Sequence, residues 1–264
     1  MAHLQISFFS NSLRRNTNVM VFIPSAGPDD FLFGGAENYN RENKKYQVLY
    51  LLHGSYDDYG SWVRNSRIEN YAQEKCLAVV MPSVENSAYL DMACGEQYQT
   101  YIAQELPEFL SILLPISRRR EDQFIAGLSM GGGGAFRFAL TFPERYQAAA
   151  SLSGGLNMRA VMPGPHANKM PRNYLRAVYG EAEPSEVIDL LEQIDPKKLP
   201  ALYMTCGTED FILPASETFY ERAVKKGVSV VYEKYPGVHC WEFWDTRIRD
   251  VLNWMPLAGK MVEC

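Results

Sequence analysis

The sequence has no surplus of positive charge. Its 26 lysines and arginines are outnumbered by 31 aspartates and glutamates, for a net charge of −5, which argues against a nucleic-acid partner. The one dense cationic cluster, Arg118-Arg119-Arg120, reads as a solvated connection between a helix and a strand. No apolar run approaches the ~18 residues that a membrane span requires. The opening Met1-Ala2-His3-Leu4-Gln5 lacks the charged and apolar regions of a signal peptide. Cysteine is scarce: five residues, at 76, 94, 206, 240 and 264, odd in number, irregularly spaced and without a C-x-x-C pair. That pattern suits neither a disulfide framework nor a zinc ribbon and reads as a cytoplasmic chain with reduced thiols. No repeat, low-complexity tract or linker divides the chain, so residues 1–264 read as one domain.

What is present is alternation. Residues 46–52, 76–81, 146–152 and 201–206 are apolar segments of strand length, and apolar runs of that kind are what a strand buried on both faces requires. Between them lie helical spacings at 66–75, 98–114, 184–194, 214–226 and 241–255, with Pro107 able to kink or restart the second. Segments 3–9 and 18–23 follow each other without a helix and read as an antiparallel edge, and 228–232 reads as a last strand. The expected class is α/β: a mainly parallel central sheet with an antiparallel N-terminal edge and helices on both faces. Residues 25–45 read as a loop and 154–183 as an irregular insertion near the site.

The chemistry centres on Gly127-Leu128-Ser129-Met130-Gly131, a G-x-S-x-G preceded by the strand-like Gln123-Phe124-Ile125-Ala126 and followed by a helix-like run. A serine on a sharp strand-to-helix turn has its hydroxyl lifted clear of the backbone, beside the free N–H groups of a helix start. The flanking glycines let the turn and helix approach neighbouring strands closely. A serine hydroxyl needs a base, and histidine is the usual one. Of four histidines, His3 lies in the first strand, His53 ends a buried strand and suits a structural role, and His166 sits in the insertion. His239 follows the last strand and a turn, which fits the order Ser, acid, His. The acid expected to orient it stands just past the strand 201–206, where Glu209 and Asp210 both qualify by position; Asp210 is favoured. The oxyanion-hole donors expected are the backbone N–H groups of Met130 and Ser55. Asp57-Asp58 lacks accompanying ligands at metal spacing, and the glycines 131–134 are not followed by Gly-Lys-Ser/Thr, so neither a metal nor a nucleotide site is read.

These motifs, with Leu51-Leu52-His53-Gly54, Ser61-Trp62, Val79-Val80-Met81-Pro82 and Gly237-Val238-His239-Cys240-Trp241, resemble the esterase D family of α/β-hydrolases. Asp91-Met92 with Gly95, then Glu105-Leu106-Pro107, look most like its tributyrin esterase branch. The resemblance implies a serine carboxylesterase acting on short acyl esters without a cofactor. Its relatives include S-formylglutathione hydrolases, feruloyl and acetylxylan esterases and mycolyl transferases, so thioester hydrolysis, hydrolysis of polysaccharide acetyl or feruloyl esters, and acyl transfer are the alternatives. A non-catalytic binding protein would normally have lost part of the triad. Two departures stand out: Cys94 occupies a position that tends to be aromatic in tributyrin esterases, and Ser55-Tyr56-Asp57-Asp58-Tyr59 is more acidic and aromatic than usual. The pocket candidates are therefore Tyr56, Cys94, Trp62 and Trp241, with Tyr59 and Tyr89 as further aromatics. For both tryptophans core packing is the favoured alternative. The expected partner is a small ester, and composition leaves open whether 83–96 and 154–183 cap the site or meet a second copy of the chain.

Overall fold

A computed structural model describes residues 1–39, 42–161, 172–181, 184–260 and 262–263. Its strands are β1 (Ala2–Ser10), β2 (Arg15–Ile23), β3 (Lys44–Lys45), β4 (Val48–Leu52), β5 (Ala78–Pro82), β6 (Gln123–Leu128), β7 (Ala148–Leu152), β8 (Ala201–Gly207), β9 (Val230–Tyr235) and β10 (Val262–Glu263). Its helices are α1 (Pro28–Phe33), α2 (Ser61–Asn65), α3 (Ile68–Glu74), α4 (Tyr98–Thr100), α5 (Leu106–Leu113), α6 (Met130–Thr141), α7 (Arg172–Tyr179), α8 (Val187–Leu190), α9 (Leu213–Lys225) and α10 (Trp241–Trp254).

Eight strands form one sheet in the order β1-β2-β5-β4-β6-β7-β8-β9. The first two pair antiparallel with each other, and β2 joins β5 antiparallel; every later pairing is parallel. The apolar strands of the sequence are the inner ones. In β4, Val48, Tyr50 and Leu52 enter one core while Leu49 and Leu51 enter the other. Both faces are thus dry, and alternation has no polar side to show. Helix α6 covers the first face through Phe136, Phe138 and Ala139, with Phe219 of α9 beside it. Helices α3 and α10 cover the second through Ile68, Ala72, Ile248, Val251 and Leu252.

Three expectations need correction. Residues 25–45 contain α1, whose Pro28 and acidic Asp29 and Asp30 suit a helix start. The segment 154–183 contains α7, hidden in the sequence by the surrounding prolines. In 184–194, helix covers only Val187–Leu190, with Asp189 reaching back to the Glu186 N–H. The run 98–114 passes through a π-helical turn, Tyr101–Glu105, before α5. Pro107 has no N–H to give the Ala103 carbonyl one turn earlier, and Arg145 Nη1 donates to that oxygen instead.

The π-turn aims Glu105 at the β1–β2 turn. Its carboxylate accepts from Ser10 Oγ at 2.7 Å, Asn11 N at 2.7 Å and Ser12 N at 3.0 Å. Ser10 is fully buried, so removing the acceptor leaves a donor without water. Glu105→Ala is expected to lower unfolding free energy by about 2 kcal/mol in urea titration, while Glu105→Gln, which keeps one acceptor, should lose less.

Candidate active site

The site lies at the C-terminal ends of β4, β6, β8 and β9, where the loops of a parallel sheet converge. Ser129 caps α6 with φ +52° and ψ −118°, a left-handed backbone that a side chain rarely adopts. Three backbone bonds hold it there: Ser129 N–H donates to Leu152 O at 2.9 Å, and its carbonyl accepts from Gly133 and Gly155, each at 3.1 Å. The turn is possible because its neighbours lack side chains. A Cβ on Gly127 would stand 2.4 Å from Gly131 O, and one on Gly131 would stand 2.5 Å from His53 O.

The imidazole of His239 meets this serine, its Nε2 2.9 Å from Ser129 Oγ. Its Nδ1 lies 2.9 Å from both carboxylate oxygens of Asp210. The ring nitrogen facing a carboxylate carries the proton, which leaves Nε2 free to accept from the serine hydroxyl. Asp210 is buried and also accepts from Ile212 N at 3.0 Å. Phe211 and Trp244 flank the imidazole, with centroids at 4.7 and 4.8 Å, and Trp244 Nε1 donates to Ser153 Oγ. Glu209, the competing acid, points elsewhere: its carboxylate accepts from Gly237 N at 2.6 Å and so ties the turn before His239 to the turn after β8. Cys206, behind Asp210, is a buried thiol pushed up to about 12 by desolvation.

The other histidines do different work. His53 is buried, with Nδ1 2.7 Å from Gly54 O and Nε2 accepting from Val84 N at 3.0 Å. Its carbonyl oxygen accepts from Tyr89. His3 pairs with Glu69 at the sheet edge, and His166 lies outside the described residues. The loop after His53 passes beside the serine: a Cβ on Gly54 would touch Ser129 Cβ at 3.5 Å. Ser55 and Met130 both border the space in front of Ser129. Met130 is the first residue of α6, so its N–H has no acceptor within the helix.

That space is a cavity of about 770 Å³ running from Ser129 and His239 along α6, within the roughly 300–1,000 Å³ usual for ligand sites. Tyr56 stands at its mouth, largely exposed. Three pocket candidates are not on its wall. Trp62 is buried, donates to Leu52 O and meets Trp241 edge-on in the core behind the loops. Cys94 is exposed, and its N–H bonds Ala177 O at the end of α7. Tyr59 and Tyr89 also lie away from the cavity wall. The wall comes instead from residues the sequence did not single out: Phe211, Trp244, Met158, and Leu175 and Val178 of α7, with Arg137, Tyr179 and Glu186 farther along. Segments 83–96 and 172–179 meet above the site through Ala93 N to Val178 O and Cys94 N to Ala177 O. Among the described residues no group of three or more metal-ligating side chains gathers, and no helix is long and apolar enough to cross a membrane.

The family model named Esterase, described as "Putative esterase", matches residues 10–255. The chain belongs to this esterase family. An acetyl esterase from Caldicellulosiruptor saccharolyticus is 33% identical over 266 residues, covering 97% of this chain and 98% of the relative. Among solved structures, the substrate-bound fluorophosphonate-binding serine hydrolase F of Staphylococcus aureus superposes with a TM-score of 0.85 at 30% identity, over 96% of this chain and 98% of that one. The S-formylglutathione hydrolase of the same organism, as apoenzyme, gives 0.81 at 30% identity over the same shares. The fold is that of the α/β-hydrolases, and the esterase is a serine hydrolase of carboxylic esters.

Burial holds the pKa of His53 below the ordinary histidine value. The unfolded chain therefore takes up a proton near pH 6.5 that the folded chain refuses, and stability falls as pH drops below that point. Thermal or urea unfolding between pH 7 and 5 should show this loss, and His53→Gln should be less stable at pH 7 yet flatter across the window by up to about 1.4 kcal/mol per pH unit. An unchanged slope would assign the loss to the carboxylates alone.

Proposed function

We infer that the esterase hydrolyses short-chain acyl esters through Ser129, His239 and Asp210 by way of an acyl-enzyme. The observation that carries this reading is the unbroken chain of contacts from Ser129 Oγ through the imidazole to the buried Asp210 carboxylate. Ser129 Oγ attacks the ester carbonyl while His239 Nε2 takes the hydroxyl proton. The imidazolium that forms is held by Asp210, and the oxyanion is held by the N–H groups of Met130 and Ser55. His239 then returns the proton to the leaving alcohol, and a water it activates releases the acid. Similarity to an acetyl esterase supports the short acyl group. The stretches Asp91-Met92 and Glu105-Leu106-Pro107 support a kinship with tributyrin esterases. A second reading, thioester hydrolysis, is favoured by the likeness to an S-formylglutathione hydrolase.

Initial rates on p-nitrophenyl esters from acetyl to decanoyl test the reading. The wild type should peak at short chains. Ser129→Ala should lose at least about four orders of magnitude in kcat, and Asp210→Asn should lose about 10⁴-fold through the wrong imidazole tautomer. Ser55→Ala should stay within about threefold of wild type, since a backbone amide is the donor. Turnover that survives Ser129→Ala would remove the serine from the mechanism. A wild type inert on every ester but active on S-formylglutathione would establish the second reading.

A further inference from the structure

The far part of the cavity holds a charge that the proposed triad does not use. Arg137 sits in the middle of α6, in line with Ser129 and Gly133 at intervals of four residues, so all three share one face of the helix. Eight residues of helix place it ~12 Å from the serine along the axis. It is 6% exposed, and it lines the same cavity. The cavity wall it shares includes the apolar Leu175, Val178 and Val187 and the polar Tyr179, Ser185 and Glu186.

A guanidinium has five N–H donors in a planar fork. Among the described residues, Arg137 Nη2 donates to the Ser185 carbonyl oxygen at 2.6 Å, and no carboxylate forms an ion pair with the fork. Burial lowers the pKa of its guanidinium, and Tyr179, Glu186 and Asp189 nearby raise it in part without a hydrogen bond to the fork. Glu186 is engaged elsewhere, accepting from Met158 N at 3.0 Å, and Asp189 pairs with Arg159. A charged group this buried, with more donors than the one acceptor it meets here, is unfavourable unless something accepts from the rest. A helix interior needs no arginine to be stable, and a leucine or methionine would fill the position without this penalty.

The geometry points to Arg137 as a specificity-determining residue, whose guanidinium donates to a second oxygen of the ester substrate, about two helical turns from the scissile carbonyl. This rests on ester hydrolysis at Ser129 as proposed above. The oxygen could belong to the acyl chain or to the alcohol, and the same donor would serve either.

Two substrate pairs separate these sources, each differing by one ether oxygen in place of a methylene. On the acyl side the pair is p-nitrophenyl octanoate and p-nitrophenyl ω-methoxyhexanoate; on the alcohol side it is octyl acetate and ω-methoxyhexyl acetate. In the wild type, kcat/KM should favour the ether by about tenfold in one pair, the size of a net hydrogen bond to a charged donor. Arg137→Met should erase that preference, and Arg137→Lys should keep part of it. Each ratio is taken within one preparation, so a fraction of unfolded variant cancels. Loosening of the Ser185 segment would slow both members of a pair alike and leave the ratio standing. A wild type that favours the hydrocarbon in both pairs, or a preference that survives in Arg137→Met, would overturn the assignment. Failure of the proposed function reads differently: p-nitrophenyl acetate would then be inert, or its turnover would survive Ser129→Ala.

Discussion

The left-handed backbone of Ser129 is the constraint on which the rest of the site depends. A non-glycine residue at φ +52° costs about 1–3 kcal/mol relative to an ordinary turn and persists only where its surroundings over-determine it. Here they do. Its N–H and carbonyl are both tied, to Leu152 on β7 and to Gly133 and Gly155 on either side of the crossing. The turn can close only if α6 comes against the end of β4, and Gly131 makes that approach against the His53 and Leu52 carbonyls. The same approach carries the loop of Gly54 and Ser55 to the serine. A larger residue at 127 or 131 would therefore disturb the Ser129 turn and the expected oxyanion donors together.

Asp210 and His239 are held by a second set of close approaches. A Cβ on Gly207 would meet Gly237 O at 2.2 Å, so the turns after β8 and β9 lie backbone against backbone. Glu209 clamps them, with Glu209 N to Gly237 O and Gly237 N to the Glu209 carboxylate. The contact fixes where Asp210 and His239 can be. A carboxylate as buried as Asp210 would be unfavourable alone; the imidazole and the Ile212 N–H supply its partners. Phe211 and Trp244 then keep the ring from rotating away. Glu209 and Asp210 are neighbours in sequence with the same functional group, yet one acts on the backbone and the other on the imidazole.

That difference shows what the sequence could and could not convey. The sheet was legible because both faces of β4, β5, β6 and β7 are covered, and burial on two sides leaves an uninterrupted apolar run. The Ser129 turn was legible because its glycines answer to sterics within a few residues of chain. The cavity wall was not. An apolar residue on α10 signals that it is buried and is silent about what it is buried against: Trp241 packs on Trp62, while Trp244, less than one turn later, reaches the imidazole and the cavity. Helix α7 was hidden for a related reason. Eight residues carry little periodic signal, and prolines close by suggest a loop. Arg137 gave no signal at all, since an arginine in a helix is ordinary until the helix proves to be buried.

Two kinds of support therefore meet at this site. Ser129, Asp210 and His239 sit on turns fixed by the sheet, whose close backbone approaches leave almost no room for side chains at Gly127, Gly131 and Gly207. Part of the wall comes from connections, Asn86 and Ala88 of 83–96 and Leu175, Val178 and Tyr179 of α7, and these two segments are tied to each other by Ala93 N to Val178 O and Cys94 N to Ala177 O. Arg137 belongs to neither kind. It stands on α6, the helix that Ser129 caps, so its distance from Ser129 is set by helix geometry rather than by a loop. A contact at Arg137 would thus fix a substrate's position relative to Ser129 along a stiff axis, which is what orientation of a reacting carbonyl requires. Recognition through the loops alone would bind the same molecule with less control over where its carbonyl lies.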